Sequence, residues 1–118
     1  SAPQEFFISK ISSSSDLQDE IVRILSSKLY DSFELDDLCA ALHYGKTYLC
    51  TFFREKTGMS IYQTYLKLKI DESKKLIRQK YSFSEIAGKL CFDSLSHFNY
   101  VFKKYVGMTP GEYKSSIK

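Results

Sequence analysis

The sequence predicts an all-α fold of seven helices, arranged as two helix-turn-helix lobes joined by a long linker helix. Two observations carry that reading. The first is a repeat: Phe53-Arg54-Glu55-Lys56-Thr57-Gly58-Met59-Ser60 returns 49 positions later as Phe102-Lys103-Lys104-Tyr105-Val106-Gly107-Met108-Thr109. Glu34 to Leu42 is likewise echoed by Ser82 to Leu90 at an offset of 48, so the second copy has one more residue in its turn. Each copy reads as a short helix, a tight turn and a longer helix carrying cations. The second observation is compositional: 118 residues hold two prolines and five glycines, and no long alternating runs suggest strands.

The elements follow in order. Residues 1–15 end in four serines, Ser12 to Ser15, and read as a linker or chain end. The opening Ser1-Ala2, without an initiating Met, is expected of a piece of a longer protein. Ser15-Asp16-Leu17-Gln18 has the form of a capping box, and Leu17, Ile21, Ile24, Leu25 and Leu29 fall on one helical stripe. A first helix is therefore expected over about 16–30.

A short helix over about 35–43 turns Leu35, Leu38, Cys39 and Leu42 inward, Tyr44-Gly45 makes the turn, and a helix over about 46–56 buries Leu49 and Phe53. Gly58 stands where a left-handed helix stop is needed. Ser60-Ile61-Tyr62-Gln63 opens the linker helix, expected to run to about Gln79 with Tyr62, Leu66, Ile70, Ser73, Leu76 and Ile77 inward. About 20 residues at ~1.5 Å each give ~30 Å, close to the ~34 Å between successive major grooves on one face of DNA.

In the second copy Ser82-Phe83-Ser84-Glu85 caps a helix bearing Ile86, Ala87 and Leu90, and Phe92-Asp93 begins the turn. A helix from Ser94 or Leu95 to Tyr105 then presents Phe98, Phe102 and Tyr105 inward. Gly107 stops it, and Thr109-Pro110-Gly111-Glu112 starts the last helix with a capping box and Pro at its first position. The domain reading is 1–15 linker, 16–58 first lobe, 59–80 linker helix and 81–118 second lobe.

The net charge of +3 conceals an asymmetry: residues 1–45 carry −5 and residues 46–118 carry +8. The cations begin where the first of the longer paired helices begins, which favours a polyanionic partner. Duplex DNA, whose major groove repeats every turn, suits two neighbouring units of one kind. No stretch approaches the length of a membrane span, and no signal-peptide pattern opens the chain. The three cysteines, Cys39, Cys50 and Cys91, are odd in number and widely spaced, which fits a reducing cytoplasm better than a disulfide framework. Cys39 and Cys91 read as small buried apolar residues.

Ser84-Glu85-Ile86-Ala87, Cys91-Phe92-Asp93, Phe98-Asn99-Tyr100-Val101-Phe102-Lys103-Lys104 and the closing Gly107-Met108-Thr109-Pro110-Gly111-Glu112-Tyr113 resemble the C-terminal DNA-binding domain of the AraC/XylS family of bacterial transcription regulators. The resemblance covers about Asp16 to Ser115. It implies two helix-turn-helix lobes with both reading helices in adjacent major grooves, and a separate sensing or dimerising domain, usually N-terminal. It also implies contact with RNA polymerase, which many activators of the family make. The chain departs from the family pattern at Gly45, where a Ser commonly caps the first reading helix, and at Cys91, where Gly is common before the second turn.

Base readout needs the outward, N-terminal face of each reading helix. With Leu49 and Phe53 inward, that face holds Lys46, Thr47, Cys50, Thr51 and Arg54. The resemblance places base contacts at Thr47, Cys50 and Thr51, with Lys46 and Arg54 nearer phosphate. In the second lobe Leu95, Ser96, Asn99, Tyr100 and Lys103 face outward, and Ser96, Asn99 and Lys103 are the expected base contacts. Backbone anchoring is expected at the helix starts, through Ser60, Gln63 and Thr109, with Lys104 assisting. Only three arginines exist, so bidentate Arg–guanine pairs are scarce and an A·T-leaning site is expected.

Other chemistries fit less well. Cys39, His43 and Cys50 lack a further ligand at recognisable spacing, so no metal is expected and His43 is read as packed in its turn. Asp93, Ser96 and His97 crowd one turn, but nothing supplies an oxyanion hole or phosphate loop, so neither catalysis nor a cofactor is expected. The alternative is a helical protein-interaction module that docks through spots such as Cys50 and Leu95 without using DNA.

Overall fold

The computed structural model describes residues 14–117, with side chains from residue 16. Seven helices and no strand lie among the described residues: α1 (Ser14–Ser26), α2 (Leu35–Leu42), α3 (Lys46–Thr57), α4 (Ile61–Arg78), α5 (Phe83–Lys89), α6 (Leu95–Val106) and α7 (Pro110–Ser116). Most of the expected N-terminal linker lies outside them. The chain forms two compact units. One runs to Lys28 and resumes over Phe33–Thr64; the other takes Leu29–Ser32 and continues from Tyr65.

In the first unit Leu17, Ile21 and Leu25 of α1, Leu38 and Leu42 of α2, Leu49 and Phe53 of α3, and Ile61 of α4 are buried. Their spacing is the expected one, because a 3.6-residue period puts them on one stripe of each helix. α2 packs on α3. Its end is made by His43, left-handed at φ 62 with its N–H bonded to Cys39 O. His43 is exposed, so it turns the chain by backbone conformation and not by the expected packing. Gly58, at φ 78, stops α3 through its N–H to Arg54 O. α1 ends at Ser26, four residues short of the expected Tyr30, with Leu29 and Tyr30 in the following turn.

The second unit is built on Ile70, Leu76, Ile77, Ile86, Ala87, Leu90, Phe92, Phe98, Val101 and Phe102. A chain of edge-to-face rings runs through it: Phe92 to Phe98 at 5.4 Å, Phe98 to Phe102 at 5.8 Å, and Phe102 to Tyr113 of α7 at 5.6 Å. Such pairs add roughly 0.5–1.5 kcal/mol each beyond burial of their area. The segment 29–32 belongs here because of three contacts: Tyr65 donates to Asp31 O at 2.9 Å, Tyr30 donates to the Glu72 carboxylate, and Cys91 Sγ lies 3.5 Å from Tyr30 O. Partial desolvation, reinforced by the hydrogen bond to the Glu72 carboxylate, pushes the Tyr30 phenol up to about 12.

The expected burial of Tyr62 and of the cysteines Cys39 and Cys91 is corrected, and one buried lysine is added. Tyr62 is exposed, and the buried positions of α4 are Ile61, Tyr65, Lys69, Ile70, Ser73, Leu76 and Ile77. Tyr62 lies about 100° round the helix from Ile61, whose side chain takes the inward place at the N-terminus. Lys69 is 4 % exposed, a burial that composition argues against. It survives because its ammonium lies over the Tyr65 ring at 4.4 Å and the Phe92 ring at 5.4 Å. Desolvation nevertheless lowers the Lys69 pKa. Cys91 is exposed and left-handed at φ 58, so its position serves the turn, while Cys39 is half-buried.

Among the described residues no helix is long and apolar enough to cross a membrane.

Candidate nucleic-acid interface

Rotation of each longer helix is fixed by what it buries. In α3 Leu49 and Phe53 are fully buried, which turns Lys46, Thr47, Thr51 and Arg54 into solvent and leaves Cys50 half-exposed. In α6 Phe98, Val101 and Phe102 are buried, and Leu95, Ser96, Asn99, Tyr100 and Lys103 are exposed. Every side chain expected at a base is therefore at least partly open to solvent.

The helix starts differ in one informative way. Ser94 caps α6, its Oγ accepting from His97 N–H at 3.0 Å. Gly45 occupies the same place before α3 in extended conformation, with no side-chain cap. Lys46 Nζ lies 3.2 Å from Asp36 Oδ1, an exposed pair of small energetic value that phosphate can displace. Arg54 makes no ion pair among the described residues, and it shares the last turn of α3 with Lys56, where cations suit the helix dipole.

At the start of α4 the expected capping box is present. Ser60 N–H donates to Gln63 Oε1 and Gln63 N–H donates to Ser60 Oγ, both at 3.0 Å. The first intrahelical bond runs from Thr64 to Ser60 O at 3.0 Å. The amides of Ile61 and Tyr62 are then the first-turn donors left over. The backbone anchoring expected at this helix start therefore falls to these two amides, since a reciprocal box engages its two end residues and frees the two between them. At α7 Thr109 and Glu112 form the same box, at 2.8 and 3.1 Å, and Pro110 has no N–H, so Gly111 alone retains a donor. Hydrogen bonds from the Thr109 backbone, then its side chain, hold the Glu112 carboxyl below its ordinary pKa, so that helix start carries a negative charge. The start of α4, closed by the neutral Gln63, carries no such charge.

The residues considered for other chemistries do not form a bonded group. No hydrogen bond joins Asp93, Ser96 and His97. The His97 ring stands edge-on to Phe92 at 5.5 Å, with Nδ1 buried and without a partner among the described residues. The described residues contain no group of three or more His, Cys, Asp or Glu placed to hold a metal. An aromatic stack not foreseen from sequence flanks the reading face of α3: Tyr44 on Tyr48 at 5.0 Å and Tyr48 on Phe52 at 6.1 Å, spaced i, i+4, i+8.

Comparison with known proteins completes the picture. A family model described as a helix-turn-helix domain matches residues 38–116. The chain is 27% identical over 100 residues to the Msm operon regulatory protein of Streptococcus mutans, covering 84% of this chain and 36% of that protein. It is 30% identical over 99 residues to the HTH-type transcriptional activator RhaR of Salmonella dublin, covering 83% and 35%. The chain thus spans about a third of the length of these curated relatives. In fold it resembles the DNA-binding domain of AdpA, a global transcriptional factor solved in complex with a target DNA, with a TM-score of 0.76, 23% identity, and coverage of 84% and 90%.

Proposed function

From the premise that this chain belongs to the AraC/XylS-type helix-turn-helix family, we propose that it is the sequence-specific, double-stranded DNA-binding part of a bacterial transcription regulator. α3 and α6 enter adjacent major grooves. Thr47, Cys50 and Thr51 read bases from the first lobe, and Ser96, Asn99 and Lys103 from the second. Asn99 can pair with the two major-groove atoms of adenine, and Thr47 or Thr51 can offer a methyl to thymine. Lys46, Arg54 and Lys104 take phosphates. The helix starts capped by Ser60 with Gln63 and by Thr109 add backbone donors, the amides of Ile61 and Tyr62 foremost. The four-part division at residues 15, 58 and 80 is the corresponding organisation.

One observation carries the reading: in both copies the buried side chains of the longer helix turn polar and cationic residues to solvent, Lys46, Thr47, Thr51 and Arg54 on α3 and Ser96, Asn99 and Lys103 on α6. The relatives named as an operon regulatory protein and as a transcriptional activator support it. Because they are about three times as long, a sensing or dimerising domain, contact with RNA polymerase and action in the cytoplasm belong to the same proposal.

Selection of this chain on a random duplex library tests it. Two short enriched motifs about one helical turn apart, with A·T predominating, are expected. With about six phosphates neutralised, the log–log salt slope should be near −5. No enrichment, together with no salt-sensitive binding to bulk duplex, overturns the reading in favour of a protein-interaction module.

A further inference from the structure

The first unit contains a cavity of about 340 Å³ that DNA reading does not require. That volume lies at the small end of the roughly 300–1,000 Å³ range of small-molecule clefts. Its walls are apolar where Phe33, Leu35, Ile61 and Tyr62 meet, and two charged side chains, Arg54 and Glu34, stand at it. Ile61 is buried, and Phe33 and Leu35 are half-buried, so the floor is fixed by packing. Arg54 is exposed and has no ion-pair partner among the described residues. A planar guanidinium beside an apolar pocket matches a carboxylate carried on a hydrophobic body. Glu34 opposes a second negative charge, which disfavours a dianionic phosphate.

We propose that this cavity is a binding site for a small apolar monocarboxylate, held by Arg54 through its carboxylate and by Phe33, Leu35, Ile61 and Tyr62 through its body. Cys50 and Ser60 also line the cavity, and they and Arg54 belong to the surface assigned above to DNA. Resting on that assignment, the inference has a second part: occupancy removes Arg54 from its phosphate and crowds Cys50, so ligand and DNA exclude one another. The DNA-reading lobe then carries its own effector site.

The probe is 4-phenylbutyrate, with 4-phenylbutyramide as its uncharged counterpart, titrated into the ¹⁵N-labelled chain. Saturable amide shifts confined to the neighbourhood of Phe33, Leu35, Arg54 and Ile61 are expected for the acid. Arg54→Gln should weaken the acid at least about tenfold, and should not discriminate acid from amide. Glu34→Gln should tighten the acid about two- to threefold. Leu35→Trp, checked for helical content, should fill the cavity and abolish binding. Shifts that do not saturate, or that survive Leu35→Trp, overturn the site. Equal affinity of acid and amide overturns the role of Arg54. The DNA arm is read separately, by release of a bound fluorescent duplex. Release at concentrations tracking the dissociation constant of the acid supports exclusion, whereas undisturbed DNA with a saturated cavity overturns it. A chain that binds no duplex even without the acid fails the DNA reading and the exclusion, while the shift titration still decides the cavity.

Discussion

Replacing Cys91 by glycine should stabilise this protein. Cys91 follows α5 with φ 58, and its N–H bonds to Gly88 O at 3.1 Å to close the turn. An L-residue in the left-handed region costs about 1–2 kcal/mol, from crowding of Cβ against the carbonyl oxygen. Glycine removes that cost but enlarges the entropy of the unfolded chain, which takes back roughly 0.4–1 kcal/mol. The net gain is about 0.5–1 kcal/mol. The Cys91 Sγ contact to Tyr30 O, at 3.5 Å, is a weak sulfur hydrogen bond. Comparing Cys91→Gly with Cys91→Ala removes it from the difference, because both lose the thiol and only alanine keeps the strained Cβ. Urea unfolding followed by circular dichroism should put the glycine midpoint roughly half a molar above that of alanine, with equal slopes. Equal midpoints, or alanine the higher, would refute the argument that the backbone conformation at Cys91 is strained.

Three further outcomes follow from the packing and capping. Gly45→Ser should add a few tenths of a kcal/mol and raise Tm by about 2–3 °C, because an added Cβ meets nothing within 4 Å and Ser94 shows the same cap working in the second lobe; calorimetry checks it. Phe98→Ala should cost about 3–5 kcal/mol while Tyr100→Ala, two residues on but 68% exposed, stays within about 0.5 kcal/mol by chemical denaturation. Acid titration tests the capping carboxylates: backbone and then side-chain hydrogen bonds from Ser82 and Thr109 lower the pKa of Glu85 and Glu112 below 4.5. Their contribution is present above the unfolded pKa and is lost as pH falls through the lower folded value, since the unfolded chain takes up the proton first. Stability measured from pH 6 to 3 should therefore fall less steeply in Glu85→Gln/Glu112→Gln than in the parent.

The exposed side chains of both helices are mixed in size: Thr47 and Thr51 stand beside Tyr48 on α3, and Ser96 and Asn99 beside Leu95 and Tyr100 on α6. The Tyr44–Tyr48–Phe52 stack runs along α3 next to these residues.

Local grammar determined most of this fold. The boxes at Ser60, Ser82 and Thr109, the left-handed glycines at 58 and 107, and the buried pairs Leu49–Phe53 and Phe98–Phe102 were all legible, because each depends on residues within about four positions of one another. The outward faces of α3 and α6 followed from those pairs by helical geometry alone. What tertiary structure decided was which side of α4 is covered. Ile61 is buried in the first unit and Tyr65, Lys69 and Ile70 in the second, and a single stripe read along the helix misassigned Tyr62. Burial of Lys69 needed the rings of Tyr65 and of Phe92, which lies 23 positions away, and no local pattern announces such a pairing. The cavity beside Arg54 likewise draws its walls from three separate stretches of chain. Capping and periodicity act over one helical turn, so sequence can carry them; burial and cavities depend on what other segments bring, and only the folded chain fixes that.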